Sequence, residues 1–198
     1  DDVNIYEVYP YINTVALFRG QWQFRKKGKT DEVYQALLDN IVLPTFERMK
    51  AMGGYEGLLQ PKVVYGYWPC NSDGDELIIY NAEDHDREIE RFSFPRQRKG
   101  RRRCISDFFR SVDSGEKDVL AMHCVTMGPV VSERAKTLFD NDEYAEYLYL
   151  HGMGVECAEA LAEMWHKRIR DEMGVAGDDD KEVRKLFAQH YRGSRYSF

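Results

Sequence analysis

Helical and strand rhythms alternate along the chain and predict a mixed fold. Tyr6 to Phe24 is crowded with aromatics (Tyr6, Tyr9, Tyr11, Phe18, Trp22, Phe24), and Arg19-Gly20 suggests a bend. An irregular entry followed by a docked helix is expected there. From Asp31 to Met52 the residues Val33, Leu37, Leu38, Ile41 and Val42 keep a helical period, continued by Phe46 and Met49. Thr30 or Asp31 can cap the start. Pro44 has no amide hydrogen and should kink or restart the helix. Gly53-Gly54 is expected to end it through a left-handed backbone.

The pattern then changes to period two. Val63 to Trp68 is β-branched and aromatic, and Leu77 to Tyr80 follows a turn-rich Asn71 to Asp75, which predicts an antiparallel hairpin. Ile89 to Phe94 suits a third strand. Val119 to Thr126, the longest apolar run, reads as a buried central strand, with a short helix or turn at Cys104 to Phe109 before it. Ser132 to Arg170 is helical, broken in two at Asp140-Asn141-Asp142. In its second part Tyr144, Tyr147, Leu148, His151, Val155, Ala158, Ala162, Trp165 and Ile169 form a stripe expected to face the core. A last short helix is expected over Asp180 to Gln189, and no internal repeat or low-complexity tract is present.

Composition narrows the class. The chain has 198 residues, 43% hydrophobic and 13% aromatic, which excludes a mostly disordered polymer and favours a single domain over 1–198. A net charge of -6 counts against a general nucleic-acid binder. No apolar run approaches the roughly 20 residues that span a bilayer, and the first residues show no signal peptide. Cys70, Cys104, Cys124 and Cys157 lie far apart, so free, mostly buried thiols in a reducing cytoplasm are expected, with no metal site.

Candidate chemistry is sparse. Gly152-Met153-Gly154 lacks the third glycine of a nucleotide-binding loop and has no strand leading into it. Close packing of this region on the sheet is the expectation. No P-loop, nucleophile elbow or metalloprotease motif occurs, so no catalytic residues are expected. Arg96 to Arg103 is a basic run suited to a plain loop, to an acidic partner or to phosphates. Glu156, Glu159 and Glu163 share one helix face, usually a solvated edge. Arg192 and Arg195 carry planar forks that suit a carboxylate.

Several stretches, taken in order, resemble a known family. They are Tyr11-Ile12-Asn13 with Leu17-Phe18, the helix through Leu37 and Leu38, and Val63 to Asn71. Asp73 to Tyr80, Ser106-Asp107-Phe108, Val125 to Gly128, Ala158 to His166 with Arg168 and Arg170, and Tyr191 to Arg195 complete them. Together they resemble the activation domain of cobalamin-dependent methionine synthase, almost end to end. The resemblance implies an α+β fold, a twisted antiparallel sheet wrapped by helices in a C shape, and not a Rossmann methyltransferase. It implies an S-adenosylmethionine site in a shallow groove. Arg195 would hold the ligand carboxylate, Glu159 would help hold the ligand, and backbone near Ser197 would contact it. Asn13 stands where the family has an acidic residue, a departure that leaves an acceptor but brings no charge to the ligand's ammonium group. The family motif continues with Gly-Tyr-Pro, so a chain cut short within that motif is expected.

The resemblance also implies a role in homocysteine methylation to methionine. Cob(I)alamin on a neighbouring domain is occasionally oxidised to cob(II)alamin. Its re-reduction by a flavodoxin-type or other reductase is trapped by methyl transfer from S-adenosylmethionine. Such a domain works by positioning a methyl donor for the cobalamin-binding domain of the same enzyme. Two other readings remain: a free-standing domain of this fold acting as a ligand-binding or interaction module, and a nucleic-acid binder using the basic run.

Overall fold

The computed structural model describes residues 3–186, 190 and 191. Its contacts separate residues 1–64 with 124–198 from residues 65–123.

The first unit is helical. Asn4 caps α1 (Ile5–Val8) by accepting the Tyr6 amide at 3.0 Å. A 3-10 turn, Tyr9–Tyr11, follows, then a wide helical segment, Ala16–Gln21, so the irregular entry and docked helix occur as expected. Thr30 caps α2 (Asp31–Leu37). Pro44 acts as anticipated: the helix widens into a π-type turn over Leu38–Val42 and restarts as α3 (Leu43–Tyr55) with the proline in its first turn. The helix does not stop at Gly53-Gly54. It runs through them to Tyr55, and Gly57 takes the left-handed conformation at φ 66°. A Cβ on Gly53 would lie 2.6 Å from Leu59 Cδ1 and 2.8 Å from the Tyr9 hydroxyl, and one on Gly54 would collide with the Tyr6 hydroxyl. These glycines permit close approach inside a helix.

The strands are β1 (Lys62–Asp73), β2 (Glu76–Tyr80), β3 (Glu88–Ser93) and β4 (Asp118–Thr126), in the order β3-β2-β1-β4. They form an open antiparallel sheet, and the α+β class expected from the sequence holds. The β1–β2 hairpin is tighter than the sequence suggested. Asp73 pairs with Glu76 across a two-residue turn in which Gly74 has φ 59°. β4 is not a central strand. It lies at the sheet edge, and none of its residues is fully buried, whereas four consecutive residues of β2 are. An apolar run alone does not distinguish a two-sided from a one-sided strand.

Within residues 65–123, Cys70, Leu77 and Ile79 form the core, with Trp68, Phe94, Phe109 and Leu120 packed on it. Asn71, 3% exposed, donates from Nδ2 to the carbonyls of Arg110 and Glu116 at 3.1 and 2.8 Å. Ser106 Oγ donates to Gly74 O at 2.8 Å. Cys104 opens a 3-10 turn, Ile105–Phe108, and its amide donates to Asp107 at 2.9 Å.

The C-terminal half of the helical unit contains α4 (Pro129–Asp140) and α5 (Tyr144–Glu172), separated where expected, with Asp142 left-handed at φ 62°. The buried stripe of α5 follows the expectation at Ala162, Trp165 and Ile169 and departs from it in the N-terminal half. Leu150, Met153, Cys157, Ala160 and Leu161 are buried, while Tyr144 and His151 are exposed. Tyr147 stacks on His151 at 5.4 Å and meets Tyr144 at 5.8 Å with the rings tilted by 40°. Gly152 and Gly154 pack on helices, not on the sheet. A Cβ on Gly152 would lie 2.7 Å from Gln21 Cβ and 3.0 Å from the Trp22 indole, and one on Gly154 would lie 3.1 Å from Val131 of α4. α6 (Val183–Leu186) falls within the last expected helix but starts at Val183, not Asp180, and positions 187–189 of that expectation lie outside the described residues. Cys70, Cys104 and Cys157 are buried and Cys124 is exposed, and all four are unpaired.

Candidate functional site

α5 is the platform that carries Glu159, and the entry segment that follows Asn13 packs on it. Its first three turns receive the Ala16–Gln21 segment: Trp22 Nε1 donates to the Tyr149 carbonyl at 3.1 Å, and glycine at 152 makes room for Gln21 and Trp22. Phe18 stacks on Trp22 at 5.5 Å and meets Phe46 edge-on at 5.4 Å. This aromatic wedge explains why the entry segment is rich in rings.

Asn13 precedes the segment and caps it. Its Oδ1 accepts the Ala16 amide at 3.2 Å, and its carbonyl accepts the Leu17 amide at 2.9 Å. The side-chain oxygen is therefore engaged in local structure through one of its two lone pairs, and the amide nitrogen can donate.

The row Glu156, Glu159, Glu163 is not a solvated edge. Glu156 and Glu163 are 6% and 2% exposed, and Glu159 is half-buried between them. Glu156 Oε1 accepts from Gln21 Nε2 at 3.3 Å, which ties the entry segment to α5. Burial pushes the Glu156 carboxyl above its usual range, and the neighbouring Glu159 adds to the shift. A half-buried carboxylate beside a buried acid suits a cationic or hydroxyl-rich ligand. Asn13 and Glu159 thus lie on elements that pack together. Arg195 and Ser197 lie outside the described residues, as does Arg192.

Two hollows flank the platform. A cleft of about 690 Å³ is lined by Asn4, Glu7 and Tyr11 from the entry and by Trp165, Lys167 and Arg168 from α5. A smaller one of about 280 Å³ lies among Thr126, Val131, His151 and Ala158. Neither is lined by Asn13 or Glu159. In the larger cleft Lys167 pairs with Asp171 at 2.8 Å, and Arg168 lies 4.9 Å from the Trp165 ring centroid. Burial raises the pKa of the Tyr11 hydroxyl. Among the described residues no group of three or more His, Cys, Asp or Glu is placed to hold a metal.

In the basic run, Arg96 is structural. It pairs with Asp75 and, through both Nη atoms, with Asp107 at 2.7–2.8 Å, and holds Asp107 down to about 2. Arg98, Lys99, Arg101 and Arg102 are exposed in the loop and form no ion pair among the described residues.

Residues 4–198 match the family described as vitamin B12 dependent methionine synthase, activation domain. The chain belongs to that activation-domain family. Two methionine synthases are similar to it. That of Mycobacterium tuberculosis (strain ATCC 25618 / H37Rv) is 39% identical over 92% of this chain, and that of Mycobacterium leprae (strain TN) is 37% identical over 95%. The chain spans 16% and 17% of their lengths. A crystal structure of the MetH reactivation domain bound to AdoHcy superposes with a TM-score of 0.83 at 24% identity, covering 99% of this chain and 62% of that one. The activation-domain fold is thus present in this chain, and no helix among its described residues is long and apolar enough to cross a membrane. Sequence reading missed the buried state of Glu156 and Glu163, whose signal was their place beside the apolar positions Cys157 and Ala162. It also missed a polar cluster around Arg170, announced only by the one-turn spacing of His166 and Arg170.

Proposed function

We propose that this chain is the part of a cobalamin-dependent methionine synthase that binds S-adenosylmethionine and presents it to cobalamin on a neighbouring domain, in the cytoplasm. The observation that carries the reading is the family match over residues 4–198, supported by the packing of the Asn13 segment on the helix that bears Glu159. Residues 1–198 act in it as one functional domain. When bound, S-adenosylmethionine supplies a methyl group on a sulfonium, an electrophile for reduced cobalt. The protein's own part is positional. Glu159 offers a half-buried carboxylate to the ligand. Gln21, held by Glu156, keeps the entry segment seated on α5. Asn13 lends its side-chain oxygen from the cap of that segment, one lone pair serving the Ala16 amide and the other able to accept from the ligand's ammonium group. Arg195 supplies the fork for the ligand carboxylate, and backbone at Ser197 completes the contacts.

The same reading takes Arg98, Lys99, Arg101 and Arg102 as the docking surface for an acidic flavodoxin-type or other reductase. Two titrations test the pair of assignments in the whole enzyme. Arg195→Ala should weaken S-adenosylmethionine binding about 10- to 100-fold, the loss of a charged hydrogen bond. Glu159→Gln should weaken it less if it meets a hydroxyl and more if it meets the ammonium group. Charge reversal at Arg101 and Arg102 should slow reductive activation and leave that affinity intact. Wild-type affinity in Arg195→Ala would place the carboxylate clamp elsewhere.

A further inference from the structure

The sheet unit carries an exposed apolar pair that its own core does not use. Ile105 and Phe108, 53% and 59% exposed, stand on the 3-10 turn Ile105–Phe108. The turn is held from beneath. Ser106 is buried and donates to the Gly74 carbonyl at 2.8 Å, and buried Cys104 donates from Sγ to the Phe94 carbonyl at 3.4 Å. Directly before the turn runs the basic loop. Arg98, Lys99, Arg101, Arg102 and Arg103 are all exposed, and the Arg103 guanidinium lies 6.0 Å from the ring centroid of Phe108. The loop is closed at its base, where the Gln97 amide donates to the Arg103 carbonyl at 3.0 Å. Within it Arg102 has φ 49°, a left-handed conformation that a side chain disfavours. Arg96 Nη1 donates to the Arg102 carbonyl at 2.8 Å, and the same guanidinium takes both Asp107 oxygens. Arg96 thus joins loop and turn into one piece.

We propose that Ile105 and Phe108 are the apolar anchor, and the cations of Arg98 to Arg103 the steering rim, of one docking surface for an acidic protein. The proposal rests on the reading above that an acidic reductase docks at the basic loop, and it adds the anchor and a division of labour. The five cations repel one another, and none forms an ion pair among the described residues, while Asp75 and Asp107 are taken up by Arg96. On a chain of net charge -6 this loop draws an acidic partner that the rest of the surface repels. The apolar pair favours a protein over a nucleic acid. An aliphatic side chain beside a phenyl ring offers nothing to a phosphate, whereas an aromatic and aliphatic centre rimmed by arginine is the anatomy of a protein interface. Loop and turn are fixed before binding, so little order remains to be gained on contact. Steering by the rim acts on association, and burial of the anchor acts on dissociation.

The test passes full-length methionine synthase over an immobilised acidic flavodoxin and reads both rates by surface plasmon resonance at low and at physiological salt. Phe108→Ala and Ile105→Ala should each speed dissociation about tenfold, with association within about threefold of wild type and its salt dependence unchanged. Arg101→Glu with Arg102→Glu should slow association about tenfold or more at low salt and flatten its salt dependence, with dissociation within about threefold. Phe108→Leu, which keeps an apolar bulk, should stay within about threefold of wild type in both rates. Both anchor side chains are exposed, so the alanine variants should unfold with wild type. Wild-type dissociation in both alanine variants overturns the anchor. If the charge reversal still slows association, the reductase reading stands without it. If the wild-type enzyme does not bind the flavodoxin even at low salt, the reductase reading falls and the anchor with it. A mixed-sequence single-stranded oligonucleotide bound more tightly than the flavodoxin would make the loop a phosphate site and overturn the protein partner.

Discussion

In the sheet unit, residues 65–123, five carboxylates stand at the surface under two arginines, whereas in the helical unit several lie inside. Arg91 bridges Asp73, Glu76 and Glu88 at 2.9–3.2 Å, and Arg96 bridges Asp75 and Asp107. These forks span the β1–β2 turn and the loop after β3. They staple a small core of Cys70, Leu77 and Ile79, where burial pushes the Cys70 thiol up to about 12. In the helical unit the Arg170–Asp179 pair and Glu156 are buried, and large apolar side chains such as Leu17, Met49, Leu150 and Leu161 carry the core. Surface forks hold local turns in register and contribute little individually. Buried polar groups are costly unless a partner fixes them, so they mark where the fold is committed to one arrangement. The helical unit is the one that bears the candidate site.

The largest effect should come from stranding one of those buried charges. Arg170→Met leaves Asp179 buried without its partner and should destabilise the helical unit by about 3 kcal/mol. The double variant Arg170→Met with Asp179→Leu should recover most of the loss. Arg91→Met in the sheet unit should lower Tm by less. An equal loss at Arg91 would erase the contrast between the units. The pair also sets a pH dependence. Arg170 holds the Asp179 carboxyl below its usual range. Its contribution is therefore full above the unfolded pKa of about 4 and is lost as pH falls through the lower folded value.

Next comes the seam between the entry segment and α5. Gly152→Ala puts a methyl 2.7 Å from Gln21 Cβ and 3.0 Å from the Trp22 indole, and Trp22 is pinned to the Tyr149 carbonyl. Overpacking costs about 1–3 kcal/mol and the helix gains about 1 kcal/mol from alanine, so a net loss of up to about 2 kcal/mol is expected, towards the upper end because the indole is held in place. Urea unfolding reads it. A stabilised variant would show that the wedge can slide.

Acid should act on the two units with opposite signs at two chosen residues. Asp107 is held down to about 2 by Arg96, so Asp107→Asn should cost stability at pH 7 and cost progressively less as pH falls from about 4 towards 2. Glu156 is pushed up by burial, so its ionisation weakens the fold as pH rises above the unfolded carboxyl value of about 4.3. Glu156→Gln should stabilise at pH 7 and change little below pH 4. Unfolding curves of both variants across pH 3–7 decide, and matching signs would break the comparison.

The helical boundaries were legible because capping and breaking are local. Thr30, Pro44 and Asp140 to Asp142 each act within a turn of where the sequence places them. The hairpin was legible because Gly74 supplies its positive φ. What failed was tertiary. β4 lies at an edge because sheet order is set by long-range pairing, and its apolar run carries no trace of that order. Gly53-Gly54 looks like a stop signal but serves the hydroxyls of Tyr6 and Tyr9, which lie far off in sequence. The resemblance pointed to Asn13 and Glu159 on elements that do pack together, while Arg195 and Ser197 lie outside the described residues. Asn71 and Ser106, which helped carry the resemblance, prove to be carbonyl ties that hold the loop after β3 and the β1–β2 turn.

The smallest effect is expected two residues beyond Gly152 on the same helix. A Cβ at Gly154 would lie 3.1 Å from Val131 Cγ2 and 3.7 Å from Cγ1, with no backbone within 4 Å. The obstacle is the methyl end of one side chain on α4, which can give by a few tenths of an ångström. The gain in helix propensity, about 1 kcal/mol, therefore offsets most of the crowding. Gly154→Ala should change stability by less than about 0.5 kcal/mol, against the clear loss at Gly152. The difference separates two reasons for a helical glycine: room for an indole pinned by its own hydrogen bond, and contact with a neighbour that can move. Urea midpoints of the two variants, measured side by side, test it. A loss at Gly154 equal to that at Gly152 would show that α4 is as firmly fixed on α5 as the aromatic wedge is.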